Sequence, residues 1–307
     1  MSVLESDTTI IITTYNDSVA DLRCALRSTI SQSLLPKHIL VVDDGSDTNT
    51  AEMVVLAEQT DSIVPITLLV KKNGGPSSAR NYGLQHCSTM YVTFLDSDDE
   101  MLETNVATKE SCLRSLGDDY LGVYGTYIKN PGGLHEYMNH DGLINADLVG
   151  KEKGIPGGVP TYLFRTKYLA DIGGFDECLV HNEDFDLIIR LANNGLKTKG
   201  SLGAGFTRNY RYGSVSRNNR YFEAYENVNR FLDKAEINNY FSQSELAVRR
   251  SGNEINLGRK LLMQNGLRKQ GLCYLNNAFD YANPKGLKQH LAFIVARSSR
   301  VFLRFLR

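Results

Sequence analysis

Hydrophobic positions alternate between two periods along the first hundred residues. Thr8–Thr14 (TTIIITT) is a continuous β-branched run; after Tyr15-Asn16-Asp17, the apolar positions Val19, Leu22, Leu26 and Ile30 recur at helical spacing. His38–Asp43 (HILVVD), a polar turn over 44–49 and a helix over 51–59 repeat the unit, and a third strand, Ile66–Val70, leads into KKNGGPSSARNYGL. Strands alternating with helices through short polar loops predict a parallel sheet covered on both faces. A fourth strand begins at Tyr91 and runs straight into DSDDE, four carboxylates in five positions. In an open α/β sheet, ligands bind outside the C-terminal ends of the strands. That rule places Thr13 and Tyr15, Asp44, Arg80 and the run Asp96, Ser97, Asp98, Asp99 along one edge.

Beyond residue 101 the pattern loosens. Residues 120–128 and 161–165 read as strands, and the Gly/Pro-rich stretch 154–160 between them predicts a mobile loop beside the site. Residues 173–195 read as a loop followed by a helix, with Asn182 as N-cap, Leu187, Ile188 and Leu191 on the apolar face and Gly195 at the end. From Tyr221 onward the pattern is helical and rich in polar residues, which predicts a helical appendage.

Composition narrows the functional classes. With 307 residues, 42% hydrophobic and 22% charged, the chain is globular, and a net charge of −1 argues against a general nucleic-acid binder. Five scattered cysteines without a CxxC pair read as reduced thiols in a cytosol. The N-terminus has neither a basic n-region nor an apolar h-region, and no stretch approaches the ~20 apolar residues of a membrane span, so a cytoplasmic protein is expected. The end of the chain differs from the rest: after Asp280 come Lys285, Lys288, Arg297, Arg300, Arg304 and Arg307 with no acid. Residues 287–307 predict a basic amphipathic helix. It reads equally as an interfacial helix on an anionic membrane surface, making the protein peripheral at the inner face, or as a face packed on protein, including a second subunit in a homo-oligomer.

The carboxylate cluster carries the candidate chemistry. Charges this close repel, so either a hard divalent cation, Mg²⁺ or Mn²⁺, sits among them or they form an acidic turn capping the next helix. No GxGxxG follows a strand and no GxxxxGK[ST] occurs, which disfavours dehydrogenases and P-loop enzymes.

Together these segments resemble family 2 of the inverting glycosyltransferases, whose fold is the GT-A nucleotide-diphospho-sugar transferase fold. The resemblance covers about residues 8–216 and is carried by IIITTYND, VVDDGSDT, NGGPSSARNYGL, FLDSDDEML and GGFDECLVHNEDFDLIIRLANNG, in the family's order. It implies an α/β, Rossmann-like, mostly parallel sheet flanked by helices over 1–216, with a helical C-terminal region over 217–307. It implies transfer of a sugar from a nucleotide-diphospho-sugar donor to the hydroxyl of a saccharide or lipid-linked acceptor, with inversion, in surface polysaccharide or glycolipid synthesis.

Residue by residue, the family pattern sets Thr13, Tyr15, Asp44 and Arg80 against the nucleotide base. An acceptor-only carboxylate at Asp44 suits the N3–H of uracil better than cytosine, so a UDP-sugar is expected. The DxD motif matches Asp96, Ser97 and Asp98. Asp98 is the leading ligand of Mn²⁺ or Mg²⁺, and Asp96 a ribose or metal-water contact. The Glu183-Asp184 pair matches the ED motif, with Asp184 as the base that deprotonates the acceptor; its place in the first turn of a helix predicts an ionised carboxylate at neutral pH.

Two departures qualify the match. No histidine lies between His181 and His290, which leaves the metal without an obvious third protein ligand. Without tryptophan the QxxRW motif of processive synthases is absent, and single-sugar addition is expected. Two other readings stay open. A sugar-nucleotide nucleotidyltransferase would need a basic, Gly-rich loop where this chain has TTYNDS, and a catalytically silent sugar-nucleotide-binding or membrane-surface adaptor would not need Asp98 and Asp184.

Overall fold

The computed structural model describes residues 5–60, 62–151, 154–209 and 221–282. The basic tail over 287–307 and the loop YRYGSVS over 210–216 lie outside the described residues. The chain divides into two compact units, Met1–Tyr212 and Gly213–Arg307.

The first unit is built on one mixed ten-stranded sheet. Its first part follows the alternating pattern: β1 (Thr8–Thr14), α1 (Val19–Ile30), β2 (His38–Asp43), α2 (Thr50–Gln59), β3 (Ile66–Val70), α3 (Pro76–Gln85) and β4 (Tyr91–Asp96). These strands lie parallel in the order β3-β2-β1-β4 without a register break. Ile10, Ile11, Ile12, Leu40, Val41 and Val42 are buried, as expected for parallel strands covered on both faces.

The second part is β5 (Glu100–Met101), α4 (Asn105–Arg114), β6 (Tyr120–Asn130), β7 (Gly133–His135), β8 (Asp141–Leu143), β9 (Tyr162–Arg165), α5 (Thr166–Asp171), α6 (Glu183–Asn193) and β10 (Lys197–Asn209). The sheet continues β4-β9-β6-β10-β5, with β9 antiparallel to both neighbours and β10 parallel to β6. The parallel part of the sheet is the one expected, and antiparallel pairs join it in this half, where short strands joined by loops can return in either direction. Arg165 ties the region together: its guanidinium donates to the carbonyls of Leu113, Leu116 and Gly117, satisfying the end of α4.

The stretch 154–160, expected as a mobile loop, is packed: Ile155 and Val159 are fully buried, and Gly150 N donates to Ile155 O. Its glycines make room for an aromatic ring. A Cβ on Gly150 or Gly157 would fall 1.9 or 2.7 Å from the ring of Phe185. Asn182 does precede α6, but in the left-handed conformation at φ 66° and without a side-chain cap bond.

The second unit, as described, is helical: α7 (Tyr221–Ile237), α8 (Gln243–Leu262) and α9 (Arg268–Tyr281). Two glycines bring the last two helices together. A Cβ on Gly258 would lie 2.8 Å from the Gly271 carbonyl oxygen, and one on Gly271 2.7 Å from that of Gly258. Ile255, Leu275 and Ala278 form the buried seam beside them.

Candidate functional site

Asp44 follows β2 and is almost wholly buried. One carboxylate oxygen accepts from Lys71 Nζ at 2.7 Å and Gly74 N at 3.0 Å, the other from Gly75 N at 2.7 Å. The neighbouring Gly45 has φ 77° and its Cβ position lies 2.7 Å from Asn73 N, so only glycine lets these loops meet. After β1, Asp17 accepts from Thr14 Oγ1, Tyr15 N and Ser97 Oγ. Thr13 is half-buried and Tyr15 half-exposed at this same edge.

Arg80 does not join Asp44. From α3, its buried guanidinium reaches Asp96 at 3.0 Å, Glu183 at 2.9 Å and Asp184 at 3.0 Å. One cation therefore gathers the first DxD carboxylate and both acids of α6, over sequence separations of up to 104 residues. Phe175 supports it from below, its ring 5.5 Å from the guanidinium carbon and edge-on to Phe94. Asn81, the next residue of α3, holds the Phe175 backbone in a two-way bond, accepting from its N and donating to its O. Further along α6, Arg190 pairs with buried Asp186 and donates to Ile172 O and Gly174 O, fixing the loop that precedes the helix.

The electrostatics correct one expectation. The helix dipole favours an ionised Asp184, but burial opposes it, and the net effect is an upward shift; Arg80 lowers it while Glu183 and Asp96 raise it further. Three carboxylates share one guanidinium, so the group retains an affinity for a proton. Asp184 also accepts from Val159 N at 3.2 Å, which links it to the packed Gly/Pro segment.

Burial, with Asp96 and then Asp17 nearby, pushes the Asp98 carboxyl up to about 6. Burial and Asp96 push Asp99 up to about 8, against its bond from Asn209 N. Carboxylates crowded enough to hold protons near neutrality suit a hard divalent cation, which would offset the same repulsion. Among the described residues, no group of three or more His, Cys, Asp or Glu side chains is placed to hold a metal by itself. A cation here would complete its shell with oxygens from another source, such as a diphosphate.

Beside these carboxylates opens a cavity of about 590 Å³. Asp96, Asp99, Glu183 and Asp184 line it together with Tyr127 and Lys129 of β6 and Phe206 and Arg208 of β10. The arrangement can hold a polyanionic ligand through a cation at the DxD carboxylates and present Asp184 to a hydroxyl in the same space. Asp17, Lys71, Asn81 and Phe175 escaped the sequence reading. The placement of Asp17 in TTYND and of Lys71 directly after β3 was the available signal, since both follow strand ends.

The profile of glycosyl transferase family 2 matches residues 9–170. A glycosyltransferase of Rickettsia conorii, described as uncharacterized, is 27% identical over 198 residues, 62% of this chain and 32% of that protein. The GalNAc(5)-diNAcBac-PP-undecaprenol beta-1,3-glucosyltransferase of Campylobacter jejuni is 29% identical over 144 residues, 47% of this chain and 45% of that protein. The first three curated relatives are matched over about a third of their own length. Among solved structures, TarS of S. aureus (residues 1–349) is similar over 90% of this chain and 80% of that one, with a TM-score of 0.62 and 19% identity. That likeness shows the GT-A fold.

Proposed function

The chain belongs to glycosyl transferase family 2, and from that premise we propose that it moves a sugar from a nucleotide-diphospho-sugar, a UDP-sugar, to the hydroxyl of a saccharide or lipid-linked acceptor, with inversion. The observation that carries this reading is the Arg80 hub, which draws Asp96, Glu183 and Asp184 to one cavity.

The base would lie at the ends of β1 and β2, against Thr13, Tyr15 and Asp44. Lys71, Gly74 and Gly75 hold the Asp44 carboxylate in place through bonds to both of its oxygens, and the uracil N3–H would be accepted by sharing or displacing one of them. Ser97, bonded to Asp17, orients the turn that carries the acids. Asp98, with Asp96, would hold Mn²⁺ or Mg²⁺, which when bound offsets the negative charge gathering on the departing nucleoside diphosphate.

Asp184 accepts the proton of the attacking hydroxyl. An upward-shifted carboxyl is a better base than an ordinary aspartate, and Arg80 keeps enough of it ionised to work near neutral pH. Glu183, on the same guanidinium, holds Arg80 in position rather than taking the proton. Inversion follows from one attack on the face opposite the departing diphosphate, with a single base and no protein nucleophile.

The test is turnover of a panel of nucleotide sugars by the purified protein with Mn²⁺, with Mg²⁺ and in excess EDTA. We expect UDP-sugars to be consumed, the activity to vanish in EDTA, and Asp98→Asn to lose nearly all of it while remaining folded. Full activity in EDTA would remove the metal assignment. Preferential use of a cytidine or adenosine donor would remove the assignment of Asp44.

A further inference from the structure

Two loops at the edge of the parallel half are fastened to each other by a residue that has had no part in the site so far. Asn16, between Tyr15 and Asp17, has φ 54°. Glycine reaches that region without steric cost; asparagine reaches it when its short amide finds hydrogen bonds nearby. Here the amide finds them on the other loop. Asn16 Oδ1 accepts from Asp47 N at 2.8 Å, and Asn16 Nδ2 donates to Asp47 Oδ2 at 3.0 Å. The backbone N of Asn16 donates to Ser46 Oγ at 2.9 Å, and Ser46 N and Oγ donate to Asp43 Oδ1 at 2.9 and 2.6 Å. An unbroken run of bonds therefore leads from Asn16 to the last residue of β2.

The fold does not call for this clasp. β1 and β2 are already paired as far as Thr14 and Asp43, and Asp44 N donates to Thr14 O, so the register is complete before the loops begin. Asn16 and Asp47 are both exposed, where hydrogen bonds compete with water and add little to stability. What the clasp fixes is spacing. Tyr15 stands one residue before Asn16, and Asp44 three before Asp47. On its other side the same loop is held by Asp17, which accepts from Ser97 Oγ in the acidic turn after β4. Half-exposed Tyr15 is thus carried on a loop anchored both to the turn after β2 and to the turn after β4.

We infer that the Asn16–Asp47 clasp positions the nucleotide base: it sets the gap between Tyr15 and Asp44 and so determines how sharply uracil is told from cytosine. Asn16 is a positioning residue that acts through Tyr15 and Asp44. Both Asp44 oxygens already accept bonds from Lys71, Gly74 and Gly75, so an incoming N3–H has a narrow range of approach, and a small displacement of the base weakens its bond steeply. The inference rests on the nucleotide-sugar reading and adds to it the part that sets base selectivity.

Titration calorimetry with Mn²⁺ present, using UDP, CDP and inorganic pyrophosphate as probes, tests this on three variants. Asn16→Gly keeps the left-handed backbone and removes both amide bonds. Asn16→Asp faces one carboxylate with another. The double variant Asn16→Asp with Asp47→Asn exchanges donor and acceptor, restores the pair and keeps the net charge of the parent. We expect Asn16→Gly to bind UDP about tenfold more weakly, the worth of one or two net hydrogen bonds. CDP should lose much less, because cytosine has no N3–H to place, and pyrophosphate should bind as before. Asn16→Asp should lose UDP affinity as well, and the double variant should regain it to within about twofold of the parent.

Unchanged UDP affinity in Asn16→Gly overturns the inference, as does a double variant that binds UDP no better than Asn16→Asp. Pyrophosphate affinity that falls in Asn16→Gly by the same factor as UDP affinity also overturns it, by making the clasp a support of the whole edge. If UDP does not bind the unmodified protein, the nucleotide-sugar reading fails and the inference with it; UDP binding that every variant leaves alone removes the inference by itself.

Discussion

The two halves of the sheet hold their polar groups in different ways. In β3-β2-β1-β4 the register is unbroken and the candidate ligands stand at strand ends, where the turn into the next helix exposes them. In β9-β6-β10 the register shifts between Lys197 and Thr198, between Gly200 and Ala204 and between Ala204 and Phe206. There the polar groups project from strand faces. The first half places its chemistry by topology; the second places it by packing, and tolerates variation that topology does not. Arg80 joins them, because it leaves α3 in the first half and ends on two acids of α6 in the second.

Asp184→Asn gives the largest effect expected. If the second half supplies the base, turnover falls by ~10²–10⁴ while the affinity for donor, held by the first half, changes little. Titration of UDP alongside the turnover measurement checks both. A collapse of donor affinity with surviving turnover of bound donor would make Asp184 a binding residue and erase the division of labour between the halves.

Arg80→Met tests the junction itself. The change keeps bulk but leaves Asp96, Glu183 and Asp184 without their shared cation, and removing one partner of a buried ion pair costs about 3–5 kcal/mol. Urea unfolding at neutral pH should show that loss. The deficit should shrink in acid, because carboxyls without a counter-ion bind protons more readily and the folded variant gains stability as they do. A deficit independent of pH would mean that Arg80 acts through its packing on Phe175.

Lys109, on α4 beneath the second half, is a test by charge alone. Its side chain is almost wholly buried, a Cβ on Gly205 would lie 2.8 Å from its Nζ, and that nitrogen has no hydrogen-bond partner among the described residues. Burial lowers its pKa from 10.5 to about 7. Between those values the unfolded chain binds a proton that the folded chain does not, so stability rises with pH, by up to ~1.4 kcal/mol per pH unit. The penalty is complete below pH 7 and gone above 10.5. Lys109→Met should be more stable than the parent at pH 7, with a flatter curve up to pH 9 by thermal or urea unfolding. An unchanged slope would show that Lys109 is not the group responsible.

The same contrast governs what the sequence made legible. β1, β2 and β3 begin and end at the residues expected from hydrophobic runs, since parallel strands buried on both faces leave continuous apolar stretches between polar loops. The GT-A fold was legible because five motifs stand in order. In the second half, Tyr162–Arg165 is too short for its partners to be inferred; it pairs with Tyr91 and Val92 on one side and with residues 122–124 on the other. Ion pairs spanning a hundred residues, such as those of Arg80, leave no local periodicity. Arg165 and Lys109 carry charge in the interior, where a pattern reading assigns solvent. Gly157 reads as part of a mobile loop, and its purpose shows only once the Phe185 ring packs on it.

The finest test substitutes one methyl group in each half. Gly83 lies on α3 under β1 and β2, and a Cβ there would come 2.7 Å from Ile11 Cγ2 and 3.2 Å from Val42 Cγ2, both side-chain tips. Gly122 lies on β6, where a Cβ would come 2.4 Å from the Leu163 carbonyl oxygen of the paired strand. In Gly83→Ala, overpacking is offset in part by the gain of about 1 kcal/mol that alanine brings to a helix. Gly122→Ala has no such offset and must displace backbone, at a cost of about 1–3 kcal/mol or more. Urea midpoints of the two variants should therefore rank Gly122→Ala as the less stable. The reverse order would mean that the β6–β9 pairing yields more easily than the parallel core. The mixed part of the sheet would then be its softer half.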